Sequence, residues 1–163
     1  MSQNLSGRYT HGHERSTLAS HSVRTAVNSA AYLLPHLKPG MHILDIGCGP
    51  GTITLDLAAL ASPGKVTGIE YFEAPLLVAR AEAAARSDTT TVFQVGDALK
   101  LPFENASFDV VHAHQVLQHL TDPITALREM VRVCKPGGCV AARDADYAAM
   151  SWYPELPGLE QWR

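Results

Sequence analysis

The run Leu44-Asp45-Ile46-Gly47-Cys48-Gly49-Pro50-Gly51 constrains this chain more than any other segment of it. Apolar residues lead into an acid, and three alternate glycines follow where a helix should begin. A buried parallel strand ends in this way when its exit loop lies directly against a ligand. Glycine lacks a Cβ, reaches backbone conformations closed to other residues and lets the main chain approach closely. The first N–H groups of the following helix have no internal partners and carry the positive end of its dipole, which suits an anionic group. The pattern therefore predicts a nucleotide-like cofactor site. Its spacing is G-x-G-x-G, with Thr52 where the dinucleotide fingerprint has its third glycine. Gly51 is expected to widen the loop for a ligand bulkier than a pyrophosphate.

Val66-Thr67-Gly68-Ile69-Glu70 reads as a second strand ending in an acid, a carboxylate able to accept from both hydroxyls of a ribose. Thr91 to Val95 reads as a third strand, closed by Gly96-Asp97-Ala98. Helical patterns alternate with these strands. Ser16 to Leu34 is expected to be one helix, with Leu18, Ala26, Val27, Ala30 and Leu34 near one face, stopped by Pro35 and Pro39-Gly40 before a first strand over His42 to Ile46. Thr52 to Ala61 and Glu73 to Arg86 are the next helices, Pro75 being tolerated in a first turn. Phe108 to Ala113 is a fourth strand. Asp122 caps a helix with Pro123 at its first position. Its buried stripe is expected to be Ile124, Leu127, Val131 and Cys134, with Arg128, Glu129 and Arg132 in water. Lys135-Pro136-Gly137-Gly138 stops it before a fifth strand, Cys139 to Arg143. Alternation of this kind implies an α/β fold: a Rossmann-like, doubly wound parallel sheet in three layers, α/β/α.

At 163 residues the chain is one domain with room for a respectable core, divided into an N-terminal helical segment 1–40, a core 41–143 and the start of a covering segment 144–163. Apolar residues at 46% against 18% charged exclude a disordered chain. No apolar run is long enough to span a bilayer and the N-terminus lacks a signal-peptide layout, so no membrane association and a cytoplasmic location are expected. A net charge of −3 argues against nucleic acid as partner. Three cysteines without zinc spacing suggest reduced thiols, and His11-x-His13 is a poor metal site, so no metal is expected.

The ordered set of Leu44 to Gly51, Glu70, Gly96-Asp97-Ala98, Leu101-Pro102-Phe103 through Phe108-Asp109-Val110-Val111, and Arg132-Val133-Cys134-Lys135-Pro136-Gly137-Gly138 resembles a class I S-adenosylmethionine-dependent methyltransferase. The likeness is to the small-molecule enzymes of ubiquinone and menaquinone biosynthesis. That family's sheet has seven strands; five are present here, so the chain is expected to be truncated at its C-terminal side. The fifth strand would then carry an open apolar edge, through which self-association is expected unless it is covered.

The resemblance implies S-adenosyl-L-methionine as cofactor, S-adenosyl-L-homocysteine as product and a small organic molecule as methyl acceptor. It places the methionine end on the backbone of Gly47, Cys48, Gly49 and Gly51, with Asp45 accepting from the ammonium and Gln115 nearby. Glu70 takes the ribose hydroxyls, Tyr71 or Phe72 offers a face to adenine, Asp97 accepts from the adenine amino group, and Gly96-Ala98 complete that wall. Tyr9 and His11 are candidate lid residues over the cofactor. His114 and His119 are the candidates for a general base, needed only where the acceptor carries a proton. Asp144, Asp146, Tyr147 and Trp152 would line the acceptor pocket. Two alternatives stay open: a cofactor-binding remnant without turnover, and a nicotinamide-dependent oxidoreductase on the same fold.

Overall fold

The computed structural model describes residues 23–146 and 149. Among the described residues there are five strands, β1 (Ile43–Ile46), β2 (Val66–Glu70), β3 (Thr91–Val95), β4 (Phe108–His114) and β5 (Cys134–Arg143). The helices are α1 (Ala26–Ser29), α2 (Thr52–Ala61), α3 (Glu73–Ala85) and α4 (Pro123–Val133), with 3-10 turns at Leu34–His36 and Leu117–His119. All strand pairs are parallel and the sheet order is β3-β2-β1-β4-β5. The chain winds outward from β1 through β2 to β3 and then returns to the other side of β1. That reversal opens a crevice beyond the C-terminal ends of β1 and β4, where open α/β sheets bind ligands.

Alternate strand residues face opposite layers. Ile43 and Val110 join Ala26, Ala30, Leu33, Leu57, Ala58 and Ala61 under α1 and α2. Leu44, Ile46, Val111 and Ala113 point the other way, onto Met130 and Val133 of α4. Under α3, Cys48, Leu55, Leu76, Ala79, Ala83 and Phe93 make a third cluster. The central position of β1 shows in its burial: all four residues are inside, Asp45 included.

Three expectations change in detail. The first helix does not run through Thr25, which caps α1 instead. Its hydroxyl accepts from Asn28 N–H at 3.2 Å, while Asn28 Oδ1 accepts from Thr25 N–H at 2.8 Å, the reciprocal box that starts a helix. Ala26, Ala30 and Leu33 are buried but Val27 is 71% exposed; Leu18 lies outside the described residues.

On α4 the buried positions are Ala126, Met130 and Val133; of the expected stripe, Leu127 and Cys134 pack half-buried against that core, whereas Ile124 and Val131 are 54% and 63% exposed. The helix is turned so that Glu129 and Arg132, expected in water, hold the loop before β4. Glu129 accepts from Leu101 N–H at 2.8 Å, and the Arg132 guanidinium donates to the carbonyls of Leu101 and Phe103 and to Asn105 Oδ1.

Finally, β5 pairs from Cys134 onward. Phe108 faces Cys134 and Val110 faces Cys139, so Lys135 to Gly138 form a bulge within the strand, with Gly137 at φ +79°. The residues expected to form a turn ahead of the strand therefore lie within it. Among the described residues β5 has one strand neighbour, β4, and no described helix is long and apolar enough to cross a membrane.

Candidate functional site

Gly47, Gly49 and Gly51 all have positive φ, +66°, +52° and +80°. The reason for glycine differs at each. A Cβ on Gly47 would lie 2.5 Å from Val116 Cγ2, because the loop after β1 touches the turn after β4 across the crevice. On Gly51 it would lie 2.8 Å from Ala79 Cβ and 2.9 Å from Phe93 Cζ. Gly51 therefore does not widen the loop. It lets the start of α2 close onto α3 and β3, the packing task of the third glycine in a dinucleotide fingerprint. Gly49 alone faces open space, with nothing within 4 Å of its added Cβ. Cys48 turns its side chain into the cluster under α3, while its N–H donates to Ile69 O at 3.0 Å. Burial pushes the Cys48 thiol well above its ordinary range, and the nearby Asp45 and Glu70 carboxylates add to the effect. The thiol is held protonated, and the loop offers main chain to a ligand.

Beside the Gly49 cradle, Glu70 Oε2 accepts from Gly49 N–H at 3.2 Å and Oε1 from Tyr71 N–H at 2.8 Å. Tyr71 is 50% exposed, and Phe72 meets its ring edge-on at 5.0 Å. Gly96 N–H donates to Glu70 O at 3.0 Å. Asp97 is exposed, with Oδ1 accepting from Leu99 N–H at 2.8 Å, and Ala98 is half-buried behind it. These residues follow one another along the C-terminal edge of β1, β2 and β3. The arrangement fits a nucleoside-bearing cofactor: an open main-chain cradle, a carboxylate beside it, an exposed aromatic and a second acid at the far end.

Across the crevice the groups are side chains. Gln115 takes a left-handed conformation, φ +58°, which a non-glycine residue adopts only when its surroundings impose it. Here its N–H donates to Arg143 O at 2.8 Å and its Oε1 accepts from Gln118 Nε2 at 2.9 Å. Gln118 in turn joins the loops after β4 and β5: its N–H donates to Asp144 Oδ1 and its Oε1 accepts from Ala145 N–H. His119 stands next to it, its Nε2 at 3.1 Å from Gln118 Nε2. His114 is half-buried. Burial first, then the positive charges of Arg24, His112 when protonated and Arg143, take its pKa down to about 4 against an opposing pull from Asp45.

One arrangement has no counterpart in the sequence expectations. His112 is 0% exposed, and its Nδ1 lies 2.7 Å from Asp45 Oδ1, while Asp45 Oδ2 accepts from the Thr54 hydroxyl at 2.6 Å. Among the described residues, His112 Nε2, His114 Nδ1 and Asp144 Oδ2 are buried without a hydrogen-bond partner. Strand alternation puts His112 and His114 on one face, but only the adjacency of β1 and β4 brings Asp45 to them. Tyr9, His11, Tyr147 and Trp152 lie outside the described residues.

Residues 37–162 match the family model of a methyltransferase domain. An uncharacterized methyltransferase of Schizosaccharomyces pombe is 39% identical over 155 residues, 90% of this chain and 55% of that protein. A demethylmenaquinone methyltransferase of Lactococcus lactis is 38% identical over 117 residues, 71% of this chain and 46% of that protein. Among solved structures, the [4+2]-cyclase SpnF superposes with a TM-score of 0.65 at 32% identity, covering 71% of this chain and 44% of that one. The chain spans about half the length of the curated relatives it matches.

Proposed function

The chain belongs to the methyltransferase-domain family, and on that premise we propose that it is a class I enzyme that binds S-adenosylmethionine along the C-terminal edge of β1, β2 and β3 for methyl transfer to a small organic acceptor. The observation that carries this reading is the open cradle at Gly49 with the Glu70 carboxylate beside it. S-adenosylmethionine supplies a methyl group on a positively charged sulfur, already activated toward displacement. The protein's share is then alignment and the exclusion of water.

The main chain of Gly47 to Gly51 holds the methionine end, together with Asp45 and Gln115. Glu70 exchanges the Gly49 N–H for the two ribose hydroxyls. Tyr71 lays its exposed ring against adenine, Asp97 accepts from the adenine amino group and Ala98 N–H donates to a ring nitrogen. Where the acceptor carries a proton, a general base works best with a pKa near the working pH. His114, at about 4, is too weak a base for that task and serves as a neutral hydrogen-bond acceptor. His119, on the turn after β4, is the better placed of the two for removing a proton. The acceptor is a small organic molecule with an oxygen, carbon or nitrogen nucleophile, a reading supported by the likeness to a demethylmenaquinone methyltransferase.

Calorimetric titration of the purified chain with S-adenosylhomocysteine tests the cofactor half. Saturable one-site binding is expected. A folded, monodisperse chain that ignores S-adenosylhomocysteine would overturn the reading, and saturable binding of NAD in its place would move the chain to the oxidoreductases.

A further inference from the structure

Asp45 is 3% exposed, on the last-but-one residue of β1 and two residues ahead of Gly47. A buried carboxylate is costly unless its lone pairs are used. One lone pair on each oxygen is: Oδ1 takes the His112 Nδ1–H at 2.7 Å and Oδ2 the Thr54 hydroxyl at 2.6 Å. Two short bonds from different elements, β4 and α2, fix the plane of the carboxylate, and each oxygen keeps a further lone pair. Because the partner is a carboxylate, Nδ1 carries the hydrogen. Nε2 has no partner among the described residues, so no second bond competes for the orientation of the ring. Asp45 and His112 are register partners on β1 and β4, the two strands that border the crevice. Both side chains are inside the molecule, His112 completely so, and they are polar groups among apolar neighbours, Val110, Val111 and Ala113.

We propose that His112 is a positioning residue for the ammonium end of the cofactor, acting through Asp45. The inference rests on the cofactor site proposed above. An ammonium leaving water needs an anion held in place beforehand, because a carboxylate free to rotate must be ordered when the ligand arrives. Glu70 does not serve here: its oxygens lie on the opposite side of the loop, at the N–H groups of Gly49 and Tyr71. Asp45 is the acid at the seam between β1 and β4, and His112 is what keeps its Oδ1 aimed.

The test compares two probes on the whole chain, S-adenosylhomocysteine and its desamino analogue, which keeps the carboxylate and lacks the ammonium. His112→Ala is expected to weaken S-adenosylhomocysteine at least tenfold while leaving the desamino analogue within twofold. His112→Asn, whose carboxamide N–H can reach the same oxygen, is expected to recover most of the loss. Equal weakening of both probes, or no weakening of either, would overturn the proposal. Should His112→Ala fail to fold, Thr54→Val removes the other bond to Asp45 and must show the same selectivity for the ammonium. A wild-type chain that binds neither probe would instead sink the cofactor site itself.

Discussion

On the β1–β3 side of the crevice, the rim is chiefly main chain and the ends of strands, assembled within Gly47 to Gly51, Glu70 to Tyr71 and Gly96 to Ala98. From the β1–β4 seam to β5 it is groups brought together from far apart: Asp45 of β1 and His112 of β4 are 67 positions from one another, and Gln118 and Asp144 are 26. The first half depends on local backbone freedom and tolerates little change in it. The second depends on strand order and on buried polar pairs, whose cost is met only when both members are present.

The sharpest way to break the contrast lies within the glycine loop. Gly51→Ala combines left-handed strain with a 2.8 Å contact to Ala79, and is expected to destabilise the fold by about 2–5 kcal/mol in urea titration. Gly49→Ala faces open space and should cost only the backbone term, about 1–2 kcal/mol, while it blocks the cradle and lowers cofactor affinity. Similar stability losses at the two positions would show that Gly49 is packed as tightly as Gly51. Next in size, Glu70→Ala should leave the fold intact and weaken S-adenosylhomocysteine by about 1.5–3 kcal/mol in calorimetry, the worth of hydrogen bonds to a charged acceptor. An unchanged affinity would place the ribose elsewhere.

On the other side, His114 supplies a pH signature. The unfolded chain takes up this proton near the ordinary value of 6.5 and the folded chain only at about 4, because burial and the nearby Arg24 and Arg143 oppose the charge. Its contribution to stability is therefore complete above about pH 6.5 and lost as the pH falls through about 4. Urea midpoints measured at pH 7 and pH 5 should fall more steeply for the wild type than for His114→Gln. Parallel curves would mean that His114 is not desolvated. The smallest effect is expected at Ile124→Ser on the outer face of α4, within about 0.5 kcal/mol of wild type by thermal melting. A larger loss would restore the stripe first drawn from the apolar spacing.

That stripe shows where sequence reading runs out. Ile124, Leu127, Val131 and Cys134 form an apolar row as regular as Ala126, Met130 and Val133, and periodicity does not tell that Leu127 and Cys134 reach the border of the core while Ile124 and Val131 face out. That orientation is set by Arg132, whose guanidinium reaches the carbonyls of Leu101 and Phe103, and by Glu129 on Leu101 N–H. The α2 boundaries, Glu70 at the end of β2 and the glycine loop were legible because each depends on a few adjacent residues. Gly51 was seen as a loop glycine, but its reason lay in Ala79 and Phe93, on elements not yet placed in space. The Asp45–His112 pair was out of reach for a related cause: a doubly wound sheet puts β4 beside β1 but does not fix the register that sets His112 opposite Asp45. The break before α1 was written in Thr25 and Asn28, a box hidden inside a longer helical pattern.

At the far end of β5, the Arg143 guanidinium donates to the carbonyls of Asn28 and Ser29, at 3.4 and 3.2 Å, across 115 and 114 positions of sequence. Ala26 N–H, by contrast, is met earlier, by Asp56 on α2. During synthesis the α1 segment leaves the ribosome ahead of every strand, yet its second anchor does not exist until the last strand described here has been made. The loop closed by that anchor spans 115 positions, and contacts of such separation form late because their closure entropy must be met first. The layer over Asp45 and His112 is thus closed by a contact between α1 and the end of β5, which makes the proposed ammonium site one of the later parts of the described fold to become competent.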